Sequence, residues 1–346
     1  MQLTKQVRVF DETLPNSAPR IFDEVSGILF WDDITNQRYY DIIKEMREKF
    51  WIPDEVSMNQ DVQHWHSVMS EDEIELFKNA IGVLAVLDSI ATFFDKVAAD
   101  FIRDSAIKAC MAFIAGMESI HNESYTYNLS SFVSKEEAKE VFERPKNNEF
   151  MIRRNKMMME LFDEFLVKRD IESFLKGLVA MAGLEGVCFV NGFTPFYHFN
   201  RNNKMFSTGT IIQYIQRDEV MHSYFQTVVV RDILTQYPEH NTPEFAEFVY
   251  DFFEKLVKLE QEFCDDLYKN TPDIDIEEVK DYVGFRANLI LDNLGLDKIF
   301  PAKKNPMPWI TAFDPANLNN TKRDFFEDKE VNYVKTSEEA NDWDDL

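Results

Sequence analysis

The sequence predicts an all-α fold, a bundle of long antiparallel helices with a flexible C-terminal tail. Glycine and proline, which interrupt helices, number only 10 and 12 among 346 residues, whereas 31 phenylalanines and 14 methionines are available for a core. Apolar residues recur at helical spacing over several segments of more than about 25 residues, and an average helix has only about 11–12. Long helices with short connections pack as antiparallel neighbours in a bundle.

The predicted helices follow one another along most of the chain. Capping-box patterns begin two of them, Ser70 with Glu73 and Ser134 with Glu137. The first ends before Pro53, because proline disfavours helix at the residue before it. The predicted helices are residues 36–50, 70–103, 104–131, 134–143, 147–168, 171–200, 208–234, 243–271 and 276–294. We expect three regions: an N-terminal arm at 1–33, a helical domain at 34–300 and a C-terminal segment at 301–346.

Charge and cysteine content limit the classes of partner. The formal net charge of −25 argues against nucleic acid, because binding phosphates needs clustered lysine and arginine. Cys110, Cys188 and Cys264 lie far apart and are expected to be reduced thiols of a cytoplasmic protein. The N-terminus lacks the apolar stretch of a signal peptide, and charges interrupt the long apolar runs. We therefore expect a soluble protein with neither nucleic acid nor a membrane as a partner.

Single acidic residues interrupt four long apolar helices, and two of them are followed by a histidine three residues later. Residues three apart share a helix face, so each of these glutamates would point the same way as its histidine. An unpaired buried carboxylate costs several kcal/mol, so four of them require partners. The six side chains are Asp88, Glu118, His121, Glu185, Glu219 and His222.

The order of these residues predicts a dinuclear metal site. One acid, then E-x-x-H, then an acid, then E-x-x-H, each on its own helix, is the pattern of carboxylate bundles that bind two iron or manganese ions. Four carboxylates would balance two divalent ions. The alternative is a set of buried, hydrogen-bonded acids. The other histidines lack a glutamate three residues earlier and are expected to have structural roles; they are His64, His66, His198 and His240.

Five segments together resemble the radical-generating small subunit of class I ribonucleotide reductase. They are FWIPDEV, VLDSI, MESIHNESY, LEGVCF and QRDEVMH, and the resemblance extends from about residue 45 to the C-terminus. It implies a ferritin-like bundle that forms a homodimer, with the six side chains above as ligands of the two metal ions.

The resemblance also implies a radical at Tyr125. In the family, the tyrosine four residues after the first ligand histidine is oxidised to a stable radical. The sequence agrees, because Tyr125 lies one helical turn beyond His121. Tyr127 would point away. The resemblance assigns the apolar pocket around the radical to Phe189, Phe193 and Ile215.

A path for the radical to leave is implied in the same way. Trp51 matches the surface-side relay tryptophan of the family, and Asp218 matches the acid that links this tryptophan to His121. Glu327 and Tyr333 match the relay in the C-terminal tail. The final NDWDDL resembles the short peptide that docks on the large subunit.

The function implied is therefore that of a small subunit of ribonucleoside-diphosphate reductase. It would use molecular oxygen and two metal ions to make a tyrosyl radical, which the large subunit uses to reduce ribonucleotides. The sequence does not decide whether the nucleotides reduced are diphosphates or triphosphates. The tail and the MESIH block favour iron. A centre of two manganese ions that needs a flavodoxin-like activator is the alternative. The alternatives are a ferritin-like oxidase or monooxygenase with an open apolar channel at the metal site, and an iron-storage protein.

Overall fold

The computed structural model describes residues 1–6 and 8–313, with only the backbone of residues 311–313. In this part of the chain every regular element is a helix, as the sequence predicts. The α-helices are α1 Gln37–Glu48, α2 Asn59–Ser67, α3 Glu71–Ala99, α4 Ser105–Ser130, α5 Lys135–Glu143, α6 Glu149–Lys168, α7 Ile171–Gly183, α8 Phe189–Arg201, α9 Phe206–Gln236, α10 Pro243–Leu267 and α11 Ile276–Leu294. Short 3₁₀ turns lie at Pro53–Glu55, Arg144–Asn147, Pro238–His240 and Pro308–Phe313, and a π turn at Leu184–Cys188 joins α7 to α8.

The predicted helices are present, with four main differences. The segment predicted at 171–200 is divided by the π turn, and the helices predicted at 70–103 and 243–271 end at Ala99 and Leu267. The nine-residue helix α2 was not predicted, because two turns are too short to establish a periodicity. Tertiary packing holds α2 in place instead: its Trp65 is buried and stacks on Phe132, with ring centroids 4.9 Å apart.

The two capping boxes have different outcomes. At α3 the box is complete, because the Ser70 hydroxyl accepts from the Glu73 N–H and the Glu73 carboxylate accepts from the Ser70 N–H. At α5 only half of it forms. The Ser134 hydroxyl accepts from the Glu137 N–H, but the Glu137 carboxylate pairs with Lys78 instead, 2.5 Å away. The capping box predicted at Ser134 therefore forms only in part.

Four helical rods build the centre of the molecule: α3, α4, α9 and the rod formed by α7, the π turn and α8. The helix α3 packs along α4 and against α8, and α9 packs against α7 and α8. Rods α3 and α8 are in close contact at Gly192, where an added Cβ would clash with the Leu84 side chain. This close packing places the middle turns of the four rods around one common point.

The N-terminal residues lie over the bundle as an extended arm. Leu3, Ile21 and Phe22 are buried. The Leu3 N–H donates to the Arg169 carbonyl, and the Arg103 N–H donates to the Ile21 carbonyl at 3.0 Å. The division of the chain into three regions at residues 33 and 300 stays a prediction.

One helical rod, Ile171–Arg201, is long and apolar enough to cross a membrane by length and composition. However, 94% of its most apolar window is buried inside the bundle. It therefore has the surroundings of a core helix.

Candidate metal centre

The six predicted ligands come together in the centre of the bundle. Asp88 lies on α3, Glu118 and His121 on α4, Glu185 in the π turn, and Glu219 and His222 on α9. Each is at most 1% exposed. Because they come from four rods, the cluster exists only in the folded chain.

The donor atoms form two overlapping groups. Asp88, Glu118, His121 and Glu219 make one group, and Glu118, Glu185, Glu219 and His222 make the other; in each, the donor atoms lie within 4.8 Å of one another. Glu118 and Glu219 belong to both groups, which is the arrangement that two bridging carboxylates would have.

The distances within the cluster are short. The Nδ1 atom of His222 lies 2.8 Å from an oxygen of Glu118, and the Nδ1 atom of His121 lies 2.9 Å from an oxygen of Glu219 and 3.3 Å from one of Asp88. Even so, the carboxylate oxygens of Asp88, Glu118 and Glu219 have no hydrogen bond of good geometry among the described residues. Donor atoms that converge without hydrogen bonding one another, in a buried set of carboxylates and imidazoles, fit a pair of metal ions.

The pKa shifts within the cluster also indicate a site for metal ions. Burial raises the pKa of Asp88 and of Glu185 well above the ordinary value of a carboxyl group. Burial also opposes ionisation of Glu118, but His121 and His222 outweigh it and lower the pKa of that group. At His222 burial lowers the pKa, but Glu118 and Glu219 raise it to about 10. The cluster is therefore short of positive charge.

Glu185 is held by the π turn, which the sequence did not reveal. A π turn contains an extra residue, so some carbonyl groups lose their usual helical partner. Here the Ser223 hydroxyl donates to the Ala182 carbonyl at 2.9 Å, and the Arg286 Nε–H donates to the Gly186 carbonyl at 3.1 Å. Side chains from α9 and α11 therefore stabilise the turn that aims Glu185 at the cluster.

Asp95 is a further buried acid near the centre that the sequence analysis missed. It is fully buried on α3, and Gln226 donates a hydrogen bond of 2.9 Å to it. Burial raises its pKa to about 7, and the charge of Glu118 adds to this rise. Its position seven residues after Asp88, two helical turns along the same face, was the signal that could have revealed it.

Tyr125 is fully buried one turn beyond His121, and its hydroxyl has no hydrogen-bond partner of good geometry among the described residues. Burial raises the pKa of its phenol well above the ordinary value, and the charge of Asp88 adds to the effect. Tyr127 points away as predicted, since its hydroxyl donates to the Val56 carbonyl at 2.9 Å. Tyr125 thus lies as a neutral phenol beside the cluster.

The predicted pocket residues lie on the Glu185 side of the cluster. The rings of Phe189 and Phe193 stack, with centroids 5.3 Å apart, and both line a narrow cavity of about 10 Å³ together with Glu185. Ile215 is buried. Such a volume holds about one water molecule. The role of these three residues around the radical stays a prediction.

Asp218 joins the cluster to Trp51. Its Oδ2 atom accepts from the Trp51 indole N–H at 2.7 Å and lies 3.4 Å from the Nε2 atom of His121. Asp218 therefore faces away from the metal-binding atoms, as expected. Trp51 is only 2% exposed, whereas its chain neighbours Phe50 and Ile52 are exposed. Its role as the surface-side relay tryptophan stays a prediction.

Arg217 is the residue of this region that the sequence analysis missed. Its guanidinium group donates to Asp218 Oδ1 at 3.0 Å and to the Lys49 carbonyl at 2.6 Å. His121 and Arg217 lower the pKa of Asp218 against the effect of burial. In the sequence Arg217 looked like one more charge in the run RDE. The tail residues Glu327 and Tyr333 and the peptide at 341–346 lie outside the described residues.

Comparisons with known proteins identify the family. A family model described as "Ribonucleotide reductase, small chain" matches residues 29–306. The chain belongs to this family. A ribonucleoside-diphosphate reductase subunit beta from Halalkalibacterium halodurans is 36% identical over 100% of both chains.

Two solved structures share the fold. A class I ribonucleotide reductase structure from Bacillus halodurans has a TM-score of 0.84 and 36% identity, covering 90% of this chain and 99% of its own. The ribonucleotide reductase R2 subunit from Clostridium botulinum has a TM-score of 0.85 and 25% identity, with the same coverage. The ferritin-like bundle predicted for the small chain is therefore confirmed.

Family membership confirms the predicted class of protein. Small chains of ribonucleotide reductase hold a dinuclear centre of iron or manganese, work with a large catalytic subunit and are typically dimers. The cluster of carboxylates and histidines described above has the composition that such a centre requires. Iron storage and independent substrate oxidation are not favoured.

Removing the metal is expected to destabilise the protein more at pH 8 than at pH 6. Asp88 and Glu185 have raised pKa values in the metal-free fold, whereas they ionise near pH 4 when unfolded. The folded state therefore holds more protons, and the metal-free protein loses stability as pH rises above about 4. Divalent ions replace those protons, so their stabilisation, about 2.7 kcal/mol at about 100 times Kd, grows with pH.

Thermal melting with and without Mn(II), in the absence of oxygen, measures this difference. The increase in Tm caused by Mn(II) should be larger at pH 8. An equal increase at both pH values would contradict the account of the buried acids.

Proposed function

We propose that this chain is the small subunit of a ribonucleoside-diphosphate reductase that generates and exports a tyrosyl radical. One observation carries the proposal: a buried six-residue ligand cluster has two neighbours, a buried tyrosine one helical turn beyond its His121 and a hydrogen-bonded aspartate–tryptophan pair whose aspartate faces the same histidine. An isolated metal site would need neither neighbour. Family membership supports the same reading.

The proposed ligands divide between two ions. Asp88 and His121 would bind the first, Glu185 and His222 the second, and Glu118 and Glu219 would bridge both. When bound, the dinuclear centre supplies the oxidising equivalent drawn from molecular oxygen. We propose iron because oxygen and imidazole donors suit it. The same donor set also suits manganese. A manganese centre would require a flavodoxin-like activator as a further partner.

The proposed role of Tyr125 is to lose one electron and its phenolic proton. Its burial keeps the phenol neutral, so the electron and the proton must leave together. Asp88 exerts the largest charge effect on the phenol, so we propose that the proton leaves towards Asp88. Phe189, Phe193 and Ile215 would keep water from the radical.

The proposed exit begins at His121. A metal ion on Nδ1 would leave the proton of His121 on Nε2, which faces Asp218. Asp218 accepts from Trp51, so an electron from Trp51 could travel inward through a continuous set of hydrogen bonds. Arg217 holds Asp218 in this position. Beyond Trp51 we propose Glu327 and Tyr333 as the relay of the tail, and residues 341–346 as the peptide that binds the large subunit.

The proposed homodimer has a candidate surface on the outer side of α3 and α4. Phe93 is exposed there beside the partly buried Val86, Ile90 and Val97. On α4 an added Cβ at Gly116 would meet nothing within 4 Å. An apolar strip of this kind, next to a glycine, is suited to pack against the same two helices of a second copy of the chain.

The cavity beside the cluster argues against the rival oxidase or monooxygenase. At about 10 Å³ it admits about one water molecule, whereas a pocket for an organic substrate measures about 300–1,000 Å³. The proposed location is the cytoplasm, which suits three buried free thiols.

Changing Tyr125 to phenylalanine tests the radical. After addition of Fe(II) and oxygen, the native protein should give the EPR signal of a tyrosyl radical, and Tyr125→Phe should give none because the phenol is absent. Tyr127→Phe is the matched control and should keep the signal. If Tyr125→Phe kept the same signal, the radical would have been placed on the wrong residue.

Deleting residues 341–346 tests the docking peptide. The truncated protein should form the Tyr125 radical normally but bind the large subunit about tenfold or more weakly, because only the contact between subunits is lost. Surface plasmon resonance gives the affinity and EPR gives the radical content. Unchanged affinity for the large subunit would show that residues 341–346 do not contribute to the interface.

A further inference from the structure

Four aromatic rings lie one behind another between the metal centre and the protein surface. We call them the aromatic column: His222, His121, Trp51 and Tyr214. Their successive ring centroids are 5.9, 6.0 and 5.4 Å apart. The first three are buried, whereas Tyr214 is only partly buried. Tyr214 is therefore the member of the column that reaches towards solvent.

Arg217 ties Tyr214 to the hydrogen-bonded pair of Asp218 and Trp51. Its guanidinium carbon lies 5.4 Å from the centre of the Tyr214 ring, and the same group donates to Asp218. Tyr214 precedes Asp218 by four residues on α9, so both lie on the face of that helix that meets Trp51. The Tyr214 ring is tilted by 50° against Trp51. One arginine thus positions both neighbours of the relay tryptophan.

The surroundings of Tyr214 suit the loss of an electron together with a proton. Partial burial raises the pKa of the phenol, although the charge of Arg217 opposes this, so the hydroxyl is neutral near pH 7. The charge of Glu55, an exposed carboxylate on the turn Pro53–Glu55, also raises the pKa of the phenol. Because Tyr214 is partly exposed, solvent can accept a proton released there.

We propose that Tyr214 is the outer redox-active residue of the radical-transfer chain. Oxidised Trp51 takes one electron from Tyr214, and the phenolic proton passes to solvent, which leaves a neutral tyrosyl radical. One electron and one proton from the next tyrosine in the complex with the large subunit then restore Tyr214. The inference rests on the proposed function and extends it, because the resemblance places Trp51 and Tyr333 in the path but not Tyr214.

Tyr214→Phe separates redox function from packing, because phenylalanine keeps the ring beside Trp51 but cannot be oxidised at a phenol. The Tyr125 radical should form in normal amount, while nucleotide reduction with the large subunit falls about tenfold or more. Tyr40→Phe is the matched control and should keep full activity, since Tyr40 also packs on a tryptophan, Trp31, with centroids 5.9 Å apart. Full activity in Tyr214→Phe would overturn the proposal.

A second measurement does not depend on loss of activity. With 3-aminotyrosine at position 214, the radical should be trapped there when the large subunit, a nucleoside diphosphate and its effector are added. The EPR spectrum should then show an aminotyrosyl signal growing as the Tyr125 signal falls. A persistent Tyr125 signal with no aminotyrosyl signal would overturn the proposal.

The proposed function and the proposed role of Tyr214 can be tested separately. If the native protein formed no Tyr125 radical, the proposed function itself would fail. If the radical formed and supported turnover but Tyr214→Phe was fully active, only the role of Tyr214 would fail.

Discussion

The burial of four carboxylates at one point is the constraint on which the rest of the structure depends. Asp88, Glu118, Glu185 and Glu219 are out of contact with water, and two histidines cannot balance four negative charges. Without cations, burial forces protons onto Asp88 and Glu185. Two divalent ions would neutralise the set, so the fold is built to be completed by metal.

The neighbouring features can be understood from that centre outward. On one side, the π turn aims Glu185 inward and requires Ser223 and Arg286 to satisfy its carbonyls. On the other, Asp218 connects His121 to Trp51. The same helices thus hold a strongly charged site in an apolar core and give it one polar connection towards the surface.

Much of this could be predicted from the sequence, because the decisive signals are local. Helix periodicity and the Ser70 cap predicted α3, and isolated acids and E-x-x-H pairs in apolar helices pointed to the six side chains that the fold brings together. The π turn was not predictable, since it depends on side chains that two other helices supply. Asp95 and Arg217 were missed because each stands beside another charged residue, as in the surface of an ordinary helix. Only the tertiary structure reveals that both are buried.

The number of metal ions bound per chain tests the central claim most directly. Metal-free protein can be titrated with Mn(II) in the absence of oxygen, and the bound ions counted by EPR of the free ion. The two overlapping donor groups predict two ions per chain, held as a spin-coupled pair through Glu118 and Glu219. Binding of one ion or none by the folded native chain would contradict the account.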